Sequence, residues 1–239
     1  MAGMVNGLVP RRMVFAAGAV LTLVLAQATT ASAAPATQTA TCNGLTATIV
    51  ATTGDDTIYG TDQADVIVAD SGDDTVLSLG GNDTVCLGDG MDRFYGGPGN
   101  DWADGGEDRD AMLGEDGNNT LYGGNGADLI RTLGGTDLIY GGEERDEINA
   151  GDGPDQVYGG AGDDLVIGGS GDDRLYGEGG NDEVSGHAGN DYLNGGGGDD
   201  TLLPSDSATP NNDVGDGSSG SRDFCEGTIR VLVNCELVF

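Results

Sequence analysis

Carboxylates stand at every ninth position over most of the chain. Counting from Asp56, the series runs through Asp65, Asp74, Asp83, Asp92, Asp101, Asp110, Asn119, Asp128, Asp137, Asp146, Asp155, Asp164, Asp173, Asp182, Asp191 and Asp200, with only Asn119 uncharged. Repeated carboxylates suit two chemistries. A pair tuned apart in proton affinity does acid–base work, as in glycoside hydrolysis. An array of equals instead offers oxygen ligands to hard cations. So many identical copies argue for the second. Other catalytic signals are missing: there is no H-E-x-x-H, no G-x-S-x-G and no Lys. The single His, His187, holds a turn position filled elsewhere by Gly or Glu and reads as a turn residue, not a base.

The elements that must position these carboxylates share the same phase. Two residues after each comes an apolar side chain, from Ile58, Ile67 and Val76 to Leu193 and Leu202, with Ala103 the only small one. Two residues before each comes Gly in 14 of 17 cases, the exceptions being Gln63, Asp108 and Glu144. Three residues such as Leu165 to Ile167 alternate out, in, out, as a short strand does. The six before them carry two or three Gly, which a tight turn with positive φ requires. A disordered Gly/Asp tract has no reason to keep such a phase, so residues 51–203 are read as ordered once cation is present.

Each unit resembles the glycine-rich nonapeptide G-G-x-G-x-D-x-U-x of the RTX, or hemolysin-type calcium-binding, repeat family. Complete copies stand at Gly96 to Asp101, Gly123 to Asp128, Gly159 to Asp164, Gly168 to Asp173 and Gly195 to Asp200; the other twelve are degenerate. The resemblance implies an all-β fold, a right-handed parallel β-roll in which two units make one 18-residue turn. Short caps flank it.

In such a roll one aliphatic side chain per nine residues is too little burial to offset backbone entropy of about 1–2 kcal/mol per residue. The added support is expected to be calcium, because successive turns bring carboxylates and freed carbonyls into register around a hard cation; magnesium demands a tighter octahedron. The ligands fall on two edges. Asp56, Asp74, Asp92, Asp110, Asp128, Asp146, Asp164, Asp182 and Asp200 form the first, and Asp65, Asp83, Asp101, Asn119, Asp137, Asp155, Asp173 and Asp191 the second. One site between adjacent ligands gives at most about 15 Ca2+ sites. Asn119 lacks charge, while Asp110, Asp146 and the turn ending at Asp65 lack the preceding Gly. Sites beside these four are expected to be weaker. The best run is Asp164 to Asp200, and metal binding and folding are expected to be coupled.

On the outward positions Tyr122, Tyr140, Tyr158 and Tyr176 recur at 18 residues and are expected to stack in one row, with Trp102, Leu138, Arg174 and Tyr192 on the same face. The row suits either a glycan or protein partner or a stabilising aromatic ladder, and the ladder is favoured. The opposite face has no threonine array of the kind an ice-binding surface needs.

The flanks complete the domain organisation. Arg11 and Arg12 precede an apolar run that ends in Ala31-Ser32-Ala33, so residues 1–33 read as a signal peptide; the run is too short to span a membrane. The Arg pair leaves a twin-arginine or a general export route open. Residues 34–50 form an N-terminal cap segment, with Ile49 in phase under Ile67. Residues 51–203 form the roll of 17 repeats, and residues 204–239 a C-terminal cap. Cys225 with Cys235 is expected to tie a hairpin-like end and Cys42 with Cys86 is the remaining pair, free thiols being the alternative. The chain has 41 acidic residues against nine Arg and a net charge of -32, which excludes nucleic acid and anionic membrane as partners. The whole reads as a secreted or cell-surface calcium-binding module, monomeric and not an enzyme. A surface adhesin using the Tyr row is the alternative.

Overall fold

The strands follow from alternation within each nonapeptide. Numbering a unit from its first Gly, the ligand is position 6, the apolar residue position 8, and positions 7 and 9 face outward. In the computed structural model, which describes residues 39–203 and 214–219 in full together with backbone strands elsewhere, every position-8 side chain from Ile58 to Leu202 is fully buried. These residues form one continuous hydrophobic column.

Successive strands alternate between two parallel sheets. The first contains Asp56–Thr61, Thr75–Leu79, Arg93–Tyr95, Ala111–Asp116, Leu129–Gly134, Glu147–Asn149, Leu165–Ser170, Glu183–Ala188 and Thr201–Leu203. The second contains Ile49–Val50, Val66–Ser71, Thr84–Asp89, Trp102–Glu107, Thr120–Asn125, Leu138–Glu143, Gln156–Ala161, Arg174–Gly179 and Tyr192–Gly197. Each strand pairs with the one a full turn later, as Leu121 with Ile139 and Ile139 with Val157. The result is an all-β parallel solenoid of about nine turns of roughly 18 residues, with no helix among the described residues.

The turns between sheets need two left-handed residues each, at positions 2 and 4. Gly124 and Gly126 have φ of +106° and +129°, and a Cβ at Gly126 would meet the Asp108 carbonyl at 2.0 Å. Where other residues stand there, the chain keeps the turn and accepts strain of about 1–2 kcal/mol each. Asp108 (φ 70°) and Glu144 (φ 74°) do so at position 4, and Glu178 (φ 74°) and His187 (φ 66°) at position 2.

Both ends are closed by further chain. Ile49 pairs with Ile67 as the phase predicts, and Thr41–Cys42 pairs antiparallel with Leu45–Thr46 through the left-handed Asn43 and Gly44. Cys42 is disulfide-bonded to Cys86, an outward position-9 residue, with Cα atoms 5.7 Å apart. Arg12–Phe15, inside the segment read as a signal peptide, adds in parallel to Asp56–Thr61.

The C-terminal end differs from the expected hairpin. Val214–Asp216 and then Val231–Val233 extend the second sheet in parallel, and Phe224–Cys225 and Glu236–Leu237 extend the first. The phase of nine breaks after Leu203 because the connections lengthen, yet the chain still alternates between sheets. The expected Cys225–Cys235 pairing lies outside the described residues.

Truncating one member of the column tests how far the thin core matters. Leu175→Ala is expected to cost about 2–5 kcal/mol in saturating calcium. Leu133→Ser, at a residue 58% exposed, should change stability by less than about 0.5 kcal/mol. Denaturant unfolding measures both.

Candidate metal centre

The carboxylates of each edge form a directed ladder. The backbone N–H of each ligand residue donates to Oδ1 of the ligand one turn later, as from Asp110 to Asp128, Asp128 to Asp146 and Asp146 to Asp164, each at 2.8 Å. The second edge behaves alike, with Asp137 to Asp155 at 2.7 Å and Asp155 to Asp173 at 2.9 Å. Every ligand position from Asp56 to Asp200 is buried. Oδ1 is thereby satisfied, but Oδ2 is left buried without a donor at Asp74, Asp83, Asp92, Asp101, Asp110, Asp128, Asp137, Asp146, Asp155, Asp164, Asp173, Asp182, Asp191 and Asp200. A donorless buried carboxylate oxygen is among the costliest arrangements a fold can hold.

What these oxygens face is set by position 1, the second inward-facing position of each strand. There a Cβ placed on Gly123 would meet Asp128 Oδ2 at 2.4 Å and the Gly141 carbonyl at 2.4 Å. The same two oxygens, one carboxylate and one carbonyl from the next turn, surround the Cβ positions of Gly96, Gly105, Gly141, Gly159, Gly168 and Gly177 at 2.3–3.1 Å. Absence of a side chain therefore opens an oxygen-lined space between turns. Among the described residues no three His, Cys, Asp or Glu converge on one point, so each cation site is built from carboxylates shared between turns plus main-chain carbonyls. Such a hard, all-oxygen set fits calcium.

The electrostatics point the same way. Burial, chiefly, pushes Asp110 and Asp146 up to about 8 from 3.8, and repulsion from the ligands one turn away adds to it, against the lowering effect of the N–H bond. Asp74, Asp155 and Asp182 rise to about 7 for the same reasons. Asp128 rises only to about 6, since Arg109 offsets part of its burial. Bare of cation, the ladder resists full ionisation.

The expected ligands all reach this ladder, but not all alike. Asp65 accepts from Thr61 N–H at 2.7 Å and Thr61 Oγ1 at 2.8 Å on Oδ2, and Asp56 accepts from Thr52 in the same way. Asn119 turns its amide Nδ2 toward the Glu115 and Gly117 carbonyls. Beside Asp110 and Asp146, where weakness was expected from the missing Gly, the position-1 cradles at Gly105 and Gly141 are intact.

A second ladder was not foreseen. Position-5 Asn and Asp side chains accept the N–H of position 5 one turn later, as Asn82 from Asn100 at 2.9 Å, Asn100 from Asn118 at 2.8 Å and Asp163 from Asn181 at 2.8 Å. It runs opposite in direction to the inner ladder. The recurrence of Asn or Asp just before the ligand was its visible signal.

On the outward face, the four Tyr do stack. Ring centroids from Tyr122 through Tyr140 and Tyr158 to Tyr176 are 4.8, 4.8 and 4.9 Å apart with planes within 10°. Trp102 and Tyr192 close the two ends at 5.6 and 5.7 Å, tilted by 48° and 53°.

A pH dependence follows from the raised carboxyls. Their folded-state values lie above the unfolded value of 3.8, so the stability gained by protonation is full below about pH 4 and is lost as pH rises through about 6 to 8. In chelator, circular dichroism should therefore show β structure increasing on acidification from pH 8 to 5. With calcium, the half-saturating concentration should rise over that interval, because protons compete for the same oxygens.

Comparison with known proteins agrees with this geometry. A family model described as the RTX calcium-binding nonapeptide repeat, four copies long, matches residues 50–85, 87–121, 113–148, 140–175 and 167–202. No curated protein matches the chain. With its ladder of buried carboxylates, its glycine cradles and most of its length under that model, the chain belongs to the RTX calcium-binding repeat family.

Proposed function

We propose that this chain is an extracellular module whose folding is coupled to calcium, serving a structural or binding role and no catalytic one. The family supplies the coarser statement, that the repeats form a calcium-binding structural module. One observation carries the finer reading: fourteen buried Oδ2 atoms in register lack any donor. Divalent cation supplies both charge and coordination at the places where the fold lacks them. The disulfide between Cys42 and Cys86 supports an oxidising, extracellular setting. The lone His187, exposed in a strained turn, offers no partner for acid–base work.

A second reading, recognition of a glycan or protein partner, draws on the aromatic row. A shallow depression of about 280 Å³ lies between Trp102, Asp104, Tyr122 and Tyr140. The stacking itself favours the ladder role, because the ring faces a sugar would need are covered by neighbouring rings.

Two experiments separate these readings. Far-ultraviolet circular dichroism of residues 34–239, titrated from chelator to millimolar calcium with magnesium as control, should show a cooperative β signal specific to calcium. A spectrum equally folded in chelator at pH 7.5 would count against the coupling. For the aromatic row, Tyr140→Ser with Tyr158→Ser should lower stability by about 1–3 kcal/mol for two lost stacking contacts. Loss of partner binding with stability unchanged would instead support recognition.

A further inference from the structure

The oxygen cradles are unevenly distributed between the two edges. On the first edge Gly holds position 1 at Gly105, Gly123, Gly141, Gly159 and Gly177, and each cradle shows one carboxylate and one carbonyl oxygen. That run is unbroken for five turns. On the second edge the same inward position is held by Ser78, Thr132 and Ala150, all buried.

The side chains found there are donors aimed at the oxygens. Ser78 Oγ donates to the Gly96 carbonyl at 2.7 Å, and Thr132 Oγ1 donates to the Ala150 carbonyl. Those carbonyls are the counterparts of the Gly141 carbonyl that closes the cradle at Gly123. At Asn119 the Oδ1 atom accepts from Asp101 N–H at 3.0 Å, which fixes the amide, and Nδ2 points at the Glu115 and Gly117 carbonyls. A Cβ on the neighbouring Gly114 would meet Thr132 Cγ2 at 2.9 Å and Asn119 Nδ2 at 3.0 Å, where the other cradles show two oxygens. Asp65 is closed by both donors of Thr61.

We infer that Thr61, Ser78, Asn119 and Thr132 take the place of calcium on the second edge, so that the ion loads chiefly along the first. Each substitutes a hydroxyl or amide donor for a cation. The ladder then has a metal-held edge from Asp110 to Asp182 and a facing edge, from Asp65 to Asp155, held mainly by the protein itself. Cradles with both oxygens number seven, five on the first edge and Gly96 and Gly168 on the second. This inference rests on the calcium reading and departs from an even loading of both edges.

The test is a count of bound ions on the folded chain. Native mass spectrometry or equilibrium dialysis in calcium should give about seven ions for the unaltered chain. Ser78→Gly with Thr132→Gly should add two, and Asn119→Asp at least one. Ser78→Ala with Thr132→Val, which keeps the Cβ and removes the donor, should add none. Gly123→Ala with Gly141→Ala should remove about two. Unchanged counts in folded Ser78→Gly/Thr132→Gly and Asn119→Asp variants, or about 15 ions on the unaltered chain, would overturn the inference. No bound calcium at all would overturn the underlying reading instead. If the glycine variants fail to fold, hydrogen exchange of the unaltered chain in chelator decides: amides of Asp65, Asp101 and Asn119 should stay at least tenfold better protected than those of Asp128 and Asp146, and equal loss on both edges refutes the asymmetry.

Discussion

A carboxylate oxygen shut away from water and given no donor must find a proton or a cation, and this roll holds such an oxygen at nearly every half turn. The backbone cannot supply the donor, because the one N–H in reach is already used by Oδ1 of the same group. That N–H bond in turn demands a strict 18-residue register, and the register demands turns with left-handed residues at positions 2 and 4. Removing the cation therefore affects more than the sites. It leaves the ladder that sets the register unbalanced in charge, with only one column of aliphatic side chains to hold the sheets together.

Charge is sorted accordingly. The outward positions 7 and 9 of the second sheet, from Val66 to Asn194, include only Asp104 and Arg174 as charged residues, whereas carboxylates crowd the turns. The faces are nearly neutral and the edges strongly acidic, so repulsion acts mainly along each ladder, between ligands 18 residues apart. Arg109 and Arg145 stand in the two first-edge turns that carry an extra acid at position 4, Asp108 and Glu144, and lower the carboxyls of Asp128 and Asp164. Local acid and local base were added together. The turn survives both changes because φ stays positive at Asp108 and Glu144.

Much of this was legible from residue spacing. A period of nine with a carboxylate at position 6 and an aliphatic at position 8 determines which side chains point inward, and a row of Tyr at 18 residues must stack once the turn is that long. Ile49 was visible as a cap because it keeps phase with Ile67. The connectivity of the hydrogen bonds was not visible. Nothing in the spacing says that Oδ1 bonds forward while position-5 Asn and Asp bond in the opposite sense, since both ladders have the same period. Nor does the repeat distinguish Ser78 or Thr132 from harmless degeneracy. Only the structure shows position 1 facing the cation space, where a lost Gly means a closed site. The C-terminal strands escaped for a different reason: their spacing of 22 or more residues carries no repeat, although they pair as the repeats do.

An edge satisfied by its own side chains also bears on how the other edge binds. Both edges belong to the same strands: Leu129–Gly134 begins just after Asp128 on the first edge and runs into the turn of Thr132 and Asp137 on the second. Fixing one end of each strand in register restricts the other end before any ion arrives. The entropy lost on binding is then smaller for the first edge, which is how preorganisation raises affinity without new contacts. In a solenoid, where each turn touches only its neighbours, such a spine acts along the whole stack. A roll with cradles on both edges would gain more ions but would have to order both ends of every strand with metal. Here hydroxyls and one amide hold part of that register, and calcium completes it.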